Sequence, residues 1–322
     1  ISAGYDPITA VAVILVGAGV GTLASTVNPF ATGIAAGFAG VSLGTGMLLR
    51  VIMLVVMLAA SIYFVMRYAA RVKAHPETSL MASHRADYTA RFAAQGSDGA
   101  KLTWVQSLAL ALFALTFLVM IYAVIPFDDM GLPLPTLGWW FPQLSALFLA
   151  ASILVGVCCG LGEEETVGAF IHGAADLLGV AFIIGISRGI TVIMNGGQIT
   201  ATVLYWGEQA LRGAGAVSFT LLTFLLYLPL SFLIPSSSGL ATLSMPIMAP
   251  LADFAGVGRE VVITAFQTAS GLINLITPTS AVVMGALALG HVPYGAFLKF
   301  IWKLLAILLV LSLMFLALGA LA

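Results

Sequence analysis

The chain has 322 residues, of which 61% are hydrophobic and 8% are charged, and its mean hydropathy is +1.11. A soluble core does not need so much apolar sequence, so the composition predicts an all-α polytopic protein whose surroundings are a lipid bilayer. The 12 basic and 13 acidic side chains give a net charge of -1. This balance provides no basic surface for a nucleic acid and excludes that class of partner.

Apolar runs of roughly 20 residues predict about seven membrane crossings. The first crossing covers 7–41 and the second 46–68. The polar stretch 69–102 carries five basic side chains, so the positive-inside rule makes it a cytoplasmic connecting loop. The third crossing, 103–125, leads to a loop without basic residues that ends in Trp139-Trp140 and that we expect outside. Crossings four to seven are predicted at 141–161, 167–194, 259–289 and 293–321, with 198–214 along the membrane surface.

The stretch 216–251 differs from an ordinary crossing because Pro235–Gly239 interrupts it. The 12 apolar residues from Leu240 to Leu251 would rise about 18 Å as a helix, which is less than a hydrocarbon core of about 30 Å. We therefore predict a re-entrant hairpin whose serine-rich tip lies near the middle of the membrane. The alternative is a kinked crossing followed by a second crossing.

Two polar interruptions, Ser25–Phe30 and Asn274–Ser280, lie inside long apolar stretches. An offset of 249 positions places Ser25 on Asn274, Pro29 on Pro278 and Gly46 on Gly295. Proline and polar groups break helices, and a break at membrane depth is tolerated only beside protein or water. Between the two breaks the chain crosses the membrane an odd number of times, so the two repeats should be inverted, an architecture typical of secondary transporters.

This repeat pattern divides the chain into three parts. Residues 1–68 form the remainder of a first repeat, with the broken helix 7–41 and one crossing. The loop 69–102 connects it to a second repeat, 103–322, with three crossings, the hairpin 216–251, the broken helix 259–289 and the last crossing 293–321. Because the second repeat has a hairpin ahead of its broken helix, we expect a corresponding hairpin upstream of Ile1.

The breaks and the hairpin tip supply the candidate substrate and ion ligands. At each break the first half-helix ends in unpaired carbonyl groups that suit Na⁺, and the second begins with free N–H groups that suit a carboxylate. No metal site is predicted beyond Na⁺ at the two breaks, and the expected coupling ion is Na⁺ or H⁺, with no other cofactor. The candidate ligands are Ser25, Thr26, Asn28, Pro29, Thr32, Ser236, Ser237, Ser238, Gly239, Asn274, Thr277, Pro278, Thr279 and Ser280.

Four ionisable residues are candidate charge partners of the substrate: His172, Asp176, Arg188 and Glu164. His172 and Asp176 are spaced i, i+4 and share a helix face, and ionisable groups at membrane depth are functional candidates as ligands or proton carriers. Alternatively, Asp176 pairs with His172, and Arg188 extends to the outer surface. Glu164 belongs to a run of three glutamates that is either a solvated helix end or a gate that attracts cations.

Four segments resemble a known family: Ser25–Thr32, Gly185–Ile190, Ile234–Gly239 and Asn274–Ser280. They are similar to the YfcC-like branch of the DcuC family of C4-dicarboxylate carriers, in the ion transporter superfamily, over nearly the whole chain. The resemblance implies a scaffold domain, a transport domain that moves as an elevator, a homodimer, and a multi-pass protein of the bacterial cytoplasmic (inner) membrane. It also implies that substrate and cation bind at Ser25–Pro29, at the hairpin tip and at Asn274–Thr279.

Within that resemblance two substrates remain open. We expect a secondary active transporter of a small carboxylate-bearing metabolite, in first place an amino acid exchanged in the manner of arginine and ornithine. The alternative is a C4-dicarboxylate carried with Na⁺ or H⁺. A passive channel would show flux without saturation. A membrane enzyme would need a catalytic motif, and the sequence contains neither His-Glu-x-x-His nor Gly-x-Ser-x-Gly.

Overall fold

A computed structural model of the chain describes residues 3–26, 28–42, 44–93, 102–124, 127–128, 133–139, 141–211 and 213–321. Within these ranges the chain forms helices and turns and no strand, which confirms the predicted all-α class. In chain order the helices are α1 (Pro7–Leu23), α2 (Ile34–Ala39), α3 (Met47–Ala74), α4 (Arg85–Ala93), α5 (Trp104–Val124), α6 (Phe141–Cys158), α7 (Glu163–Gly196), α8 (Ile199–Leu211), α9 (Ala216–Leu233), α10 (Ser237–Phe254), α11 (Arg259–Asn274), α12 (Ala281–Leu289) and α13 (Tyr294–Gly319).

Among the described residues, four helical segments are long and apolar enough to cross a membrane. They are Met47–Ala74, Trp104–Ala123, Ala216–Leu233 and Tyr294–Gly319. Two shorter apolar segments accompany them, Pro7–Leu23, which is half of a broken helix, and Pro142–Cys158. The length and the apolar composition of these helices thus indicate a multi-pass membrane protein.

By its contacts the chain divides into two compact units, Ile1–Gln95 with Leu177–Ala322, and Gly96–Asp176. In the second unit α5 packs against α6. The unit also contains the start of α7, where Glu163, Glu164 and Glu165 are exposed in the first turn. Negative charge is favourable at a helix N-terminus, so their position is compatible with either role predicted from the sequence, a solvated helix end or a gate that attracts cations.

Helix α11 is the centre of the first unit. Each of its residues from Val261 to Leu272 is buried, and α1, α9, α10 and α13 all pack against it. A helix that is buried on every side belongs to the core rather than to a lipid-facing surface. The polar residues of α11 can therefore contact only protein, or a space enclosed by protein.

The two broken helices run antiparallel along their whole length. At one end the Nη1 of Arg259 donates to the carbonyl of Ala39 over 2.6 Å. In the middle, a methyl group added to Gly271 would overlap the Cα of Leu23, and one added to Gly19 would overlap the side chain of Leu275. At the other end Gly290 lies equally close to Val11. The first broken helix thus lies beside the second with the opposite chain direction.

Helices α9 and α10 fold back on each other. The hydroxyl of Tyr227 donates to the Oγ of Ser244 over 2.9 Å, although a continuous helix would place residues 17 positions apart about 25 Å from each other. The second arm, α10, is longer than the 12 residues predicted from the sequence. Helix α10 has 18 residues and is about 27 Å long, because it begins at Ser237 instead of Leu240 and includes Pro246 and Pro250 in its interior.

The segment that follows α3 is more ordered than a plain loop. Helix α3 continues to Ala74, two short 3₁₀ turns follow, and α4 begins at Arg85, whereas 94–101 lie outside the described residues. Asp6, which is buried at the start of α1, binds this segment through hydrogen bonds. Its carboxylate accepts hydrogen bonds from the backbone N–H and hydroxyl of Thr9, from the Tyr68 hydroxyl and from the Ser79 hydroxyl. The stretch around Ser79 is thereby held against the beginning of the first broken helix.

Candidate functional site

The first break lies between α1 and α2. Ser25 is buried, and its Oγ accepts a hydrogen bond from the backbone N–H of Asn28 over 2.9 Å. The chain then makes a π turn, Pro29–Gly33, closed by a hydrogen bond from the Gly33 N–H to the Asn28 carbonyl. A proline has no N–H to continue the helix, and single π turns are frequent at functional sites. The predicted interruption at Ser25–Phe30 is confirmed.

The second break lies between α11 and α12. Helix α11 ends at Asn274 and α12 begins at Ala281, so the interruption predicted at Asn274–Ser280 is also confirmed. Thr277 is buried, and its hydroxyl donates to the carbonyl of Ile273 over 2.9 Å. The hydroxyl of Tyr294, at the start of α13, donates to the carbonyl of Ile276. The carbonyl of Ile273 also accepts from the backbone N–H groups of Ile276 and Thr277, so the Tyr294 hydroxyl is the side-chain group that satisfies a carbonyl freed by the break.

The hairpin tip lies against the end of α11. Ser236 caps α10, because its Oγ accepts from the Gly239 N–H over 3.2 Å. The next residue, Ser237, has its Oγ 3.3 Å from the Oγ of Ser270, and the side-chain amide of Asn274 lies 3.3 Å from the same oxygen. These long hydrogen bonds bring the hairpin tip and the second break together, two of the three predicted ligand segments.

Gln267 connects the first break to the same helix, and sequence reasoning missed it. It is 1% exposed, and its Nε2 donates to the carbonyl of Ser25 over 2.7 Å. Gln267, Ser270 and Asn274 follow one another at i, i+3 and i+7, so they occupy one face of α11. We call these three residues the polar face of α11. The one available sequence signal was this spacing, because Gln267 lies inside a helix and far from any break.

The remaining predicted ligands differ in burial. Thr32 is fully buried in the π turn, whereas Thr26, Asn28, Pro278, Thr279 and Ser280 are half-buried, as are Ser236, Ser238 and Gly239. The side chain of Pro29 lies outside the described residues. Within the described part of the chain no group of His, Cys, Asp and Glu side chains is arranged to hold a metal ion.

The predicted charge partners belong to α7. His172 and Glu164 are exposed, and the side chains of Asp176 and Arg188 lie outside the described residues. Among the described residues, the side chains of the polar face of α11 form hydrogen bonds with neutral groups. What the structure brings together is therefore an uncharged arrangement of amides, hydroxyls and helix ends.

The family model described as "C4-dicarboxylate anaerobic carrier", DcuC, matches residues 1–320. The chain belongs to the DcuC family. The match confirms the resemblance drawn from the four segments. Because this is a family of carriers, it also supports the expectation that the chain is not an enzyme.

Two relatives resemble this DcuC-family chain. An "Uncharacterized protein" of Haemophilus influenzae is 32% identical over 311 residues, which are 96% of this chain and 59% of that protein. A protein of Escherichia coli named "Putative basic amino acid antiporter YfcC" is 28% identical over 320 residues, 96% of this chain and 61% of that protein. The chain thus spans about three-fifths of the length of these relatives. No solved structure matches it.

Proposed function

We propose that the full-length protein is a secondary transporter of a small carboxylate-bearing metabolite, driven by an ion gradient or by exchange. The observation that carries this proposal is the convergence of three chain interruptions on the polar face of α11. Gln267 holds the carbonyl of the first break, Ser270 contacts the hairpin tip, and Asn274 ends the helix at the second break. Interrupted helices that meet at one place supply both carbonyl and N–H groups to a ligand.

The antiparallel broken helices support an inverted repeat. Under the 249-residue offset, Leu23 corresponds to Leu272 and Thr22 to Gly271. The two helices therefore cross at nearly equivalent positions, since Leu23 meets Gly271. A two-fold axis in the membrane plane would produce such a contact, because equivalent residues lie next to each other where they approach the axis.

The depth of the hairpin tip supports a re-entrant arrangement. Ser270, which the tip contacts, lies about 11 residues from the start of α11. At 1.5 Å per residue this distance is about 16 Å, close to half of a hydrocarbon core of about 30 Å. The tip would then lie near the midplane, and the arm α10, about 27 Å long, would extend beyond the hydrocarbon core on the side where α11 begins.

An amino acid, exchanged in the manner of arginine and ornithine, is the first candidate substrate. The name of the E. coli relative points to this class. The side-chain oxygens of Gln267 and Asn274 are buried and have no hydrogen-bond partner among the described residues, so they could accept from an ammonium group. A carboxylate would bind at the N-terminal turn of α10, beside Ser237.

A C4-dicarboxylate, carried with Na⁺ or H⁺, is the second candidate. The family description favours it, and so does the neutral character of the contacts around the polar face of α11.

We further propose that the protein is a homodimer of the bacterial inner membrane. Scaffold and transport domains and elevator movement follow from the resemblance and belong to the same proposal.

The test is transport by the full-length protein in liposomes. Uptake of labelled arginine and labelled succinate would be measured with and without a Na⁺ gradient and with and without internal ornithine. Saturable arginine uptake that needs internal ornithine would establish exchange of basic amino acids, and succinate uptake driven by Na⁺ would establish the alternative. Flux that never saturates would mean a channel and would end the proposal.

The site is tested by Asn28→Ala and Asn274→Ala. Each removes an amide at one break, and we expect at least a ten-fold loss of uptake, the scale of one lost hydrogen bond to a charged ligand. Ser312→Ala is the matched control, because Ser312 is buried in α13 and donates to the carbonyl of Leu308 within its own helix. Wild-type uptake by both asparagine variants would exclude the two breaks as the binding site.

A further inference from the structure

Arg50 is a buried cation at the start of α3. Its side chain is 1% exposed, and its Nη2 donates to the carbonyl of Thr45 over 3.0 Å. Thr45 belongs to the corner between α2 and α3. A buried guanidinium is stable only when hydrogen bonds and an opposite charge compensate it. The opposite charge comes from another helix, since Glu260 in the first turn of α11 attracts this guanidinium.

Glu260 lies between the first residues of two helices. A methyl group added to Gly46, the N-cap of α3, would lie 2.9 Å from its Cγ. One added to Gly258, the N-cap of α11, would overlap its carboxylate. The half-buried side chain therefore folds back over the start of its own helix while its stem touches α3. Negative charge is favourable at a helix N-terminus, so this carboxylate compensates the start of α11 together with Arg50.

Arginines bind both ends of the corner between α2 and α3. Arg259, from the start of α11, donates to the carbonyl of Ala39 just before the corner. Arg50 donates within the corner and is attracted by Glu260, also from the start of α11. The end of the broken-helix pair that contains Ala39 is therefore held closed by charged groups. We call it the Ala39 end.

The opposite end of the pair is held by different chemistry. The 249-residue offset places Glu260 on Val11 and Arg50 on Lys299. Val11 lies against Gly290 with an apolar side chain, and Lys299 is exposed instead of buried. Equivalent positions of the sequence thus supply a charged contact at the Ala39 end and an apolar contact at the other.

We propose that Arg50 and Glu260 form an ionic latch that keeps the Ala39 end of the two broken helices closed, and that this end opens when the two charges separate. Separation leaves a buried charge without compensation, so the latch favours the fully closed geometry over partly open ones. The inference goes beyond the proposed transport function, because it concerns which contact must break for one end of the pair to open. It can be tested without any measurement of transport.

The experiment measures how fast N-ethylmaleimide modifies a buried cysteine at each end of the pair. Ala39→Cys reports on the latched end, and its backbone carbonyl remains available to Arg259. Ala12→Cys, next to Val11, reports on the opposite end, and both alanines are buried. Each reporter is introduced into the full-length protein after its native cysteines have been replaced, and the modification rate is followed in the purified protein.

Glu260→Gln removes the charge of the latch and keeps the size of the side chain. We expect it to raise the modification rate of the reporter at Ala39 about ten-fold or more, the scale of one lost contact between charged groups. The rate of the reporter at Ala12 should stay unchanged. Glu77→Gln, at an exposed glutamate, is the matched control and should alter neither rate. An unchanged rate at Ala39, or an equal rise at both reporters, would overturn the inference.

A double variant keeps the test decisive if Glu260→Gln does not fold. Arg50→Gln combined with Glu260→Gln leaves no charge buried without compensation, and removal of a whole buried pair is often tolerated where removal of one partner is not. Because the latch is absent, the reporter at Ala39 should still react faster than in the wild type. A wild-type rate in the folded double variant would equally overturn the inference.

Discussion

At the scale of single residues, Gly271 determines how closely the two broken helices approach. A methyl group at this position would overlap the backbone of Leu23, which cannot move aside as a side chain can. At Gly19, by contrast, the obstacle is the flexible side chain of Leu275. The crossing point therefore depends more on Gly271 than on Gly19, and small residues at helix contacts are a general means of close packing in membranes.

We predict that Gly271→Ala lowers the free energy of unfolding by about 3 kcal/mol, the upper part of the range for overpacking. The two helices would have to separate at their crossing, which also displaces Gln267 from Ser25. Unfolding of the purified protein in detergent, followed by circular dichroism, measures the change. The control is Gly17→Ala, in the same pair of helices, where an added methyl group meets open space. Equal stability of both variants would contradict this account of the crossing.

The residues that sequence reasoning found are those with a local signal. Pro29 and Pro278 interrupt apolar stretches beside polar residues, and this combination predicted the breaks; a proline alone does not, since α10 contains two in its interior. Gln267 and Asp6 gave no such signal. Gln267 acts through a contact with a residue 242 positions away, and Asp6 through partners at Tyr68 and Ser79. Contacts of this kind follow from the packing of the helices and cannot be read from one segment.

At the scale of helices, Arg259 joins the ends of two elements. Its guanidinium binds the carboxylate of Asp253 through both Nε and Nη2 and donates from Nη1 to the carbonyl of Ala39. Ala39 is the last residue of α2, and a cation at a helix C-terminus is favourable. The start of α11, the end of α10 and the end of α2 are thereby held together. These hydrogen bonds from Arg259 also lower the pKa of Asp253 below its ordinary value.

We predict that Arg259→Ala lowers the Tm more than Asp253→Ala does, because only the arginine variant frees the Ala39 carbonyl. In the double variant the Tm should fall by the same amount as in Arg259→Ala alone. The contribution of Asp253 is present above the ordinary pKa of its carboxyl and is lost as the pH falls through its lowered value. Thermal unfolding of the four proteins at neutral and acidic pH measures both effects. Additive losses would mean that the two side chains do not act as a pair.

The helices also show where prediction from sequence was incomplete. The breaks were predicted correctly, but the second hairpin arm was expected to begin at Leu240. Ser236 caps the helix, so Ser237 to Gly239 form its first turn rather than a loop. A run of serines is compatible with a loop and also with a helix cap followed by the first helical turn. Which of the two forms depends on the packing of the neighbouring helix.

At the scale of the whole molecule, the contacts of the first unit predict which of its ends lie on the same side of the membrane. Ser79 is bound to Asp6 at the start of α1, so the end of the broken-helix pair near Val11 and Gly290 belongs with the segment that the positive-inside rule makes cytoplasmic. Lys299 and Lys303, near the start of α13, lie in sequence just after Gly290. The opposite end, with Ala39 and Arg259, should then face outward.

We predict opposite labelling of two single-cysteine variants by an impermeant thiol reagent in intact cells and in inside-out vesicles. Glu77→Cys should react only from the cytoplasmic side, and Phe254→Cys, at an 89% exposed residue that ends α10, only from outside. Cys158 and Cys159 would be replaced first, since both are free thiols. Labelling of both positions from one side would rule out this topology.

The crossing at Leu23 and Gly271 has a mechanical consequence. The two helices touch at mid-length and also at both ends, where Arg259 binds the carbonyl of Ala39 and Val11 lies against Gly290. Because they cannot come closer at Leu23 and Gly271, they can tilt about that contact only if one end contact opens while the other is kept. The contact that leaves no room for one methyl group would thus tie the opening of one end of the pair to the closing of the other.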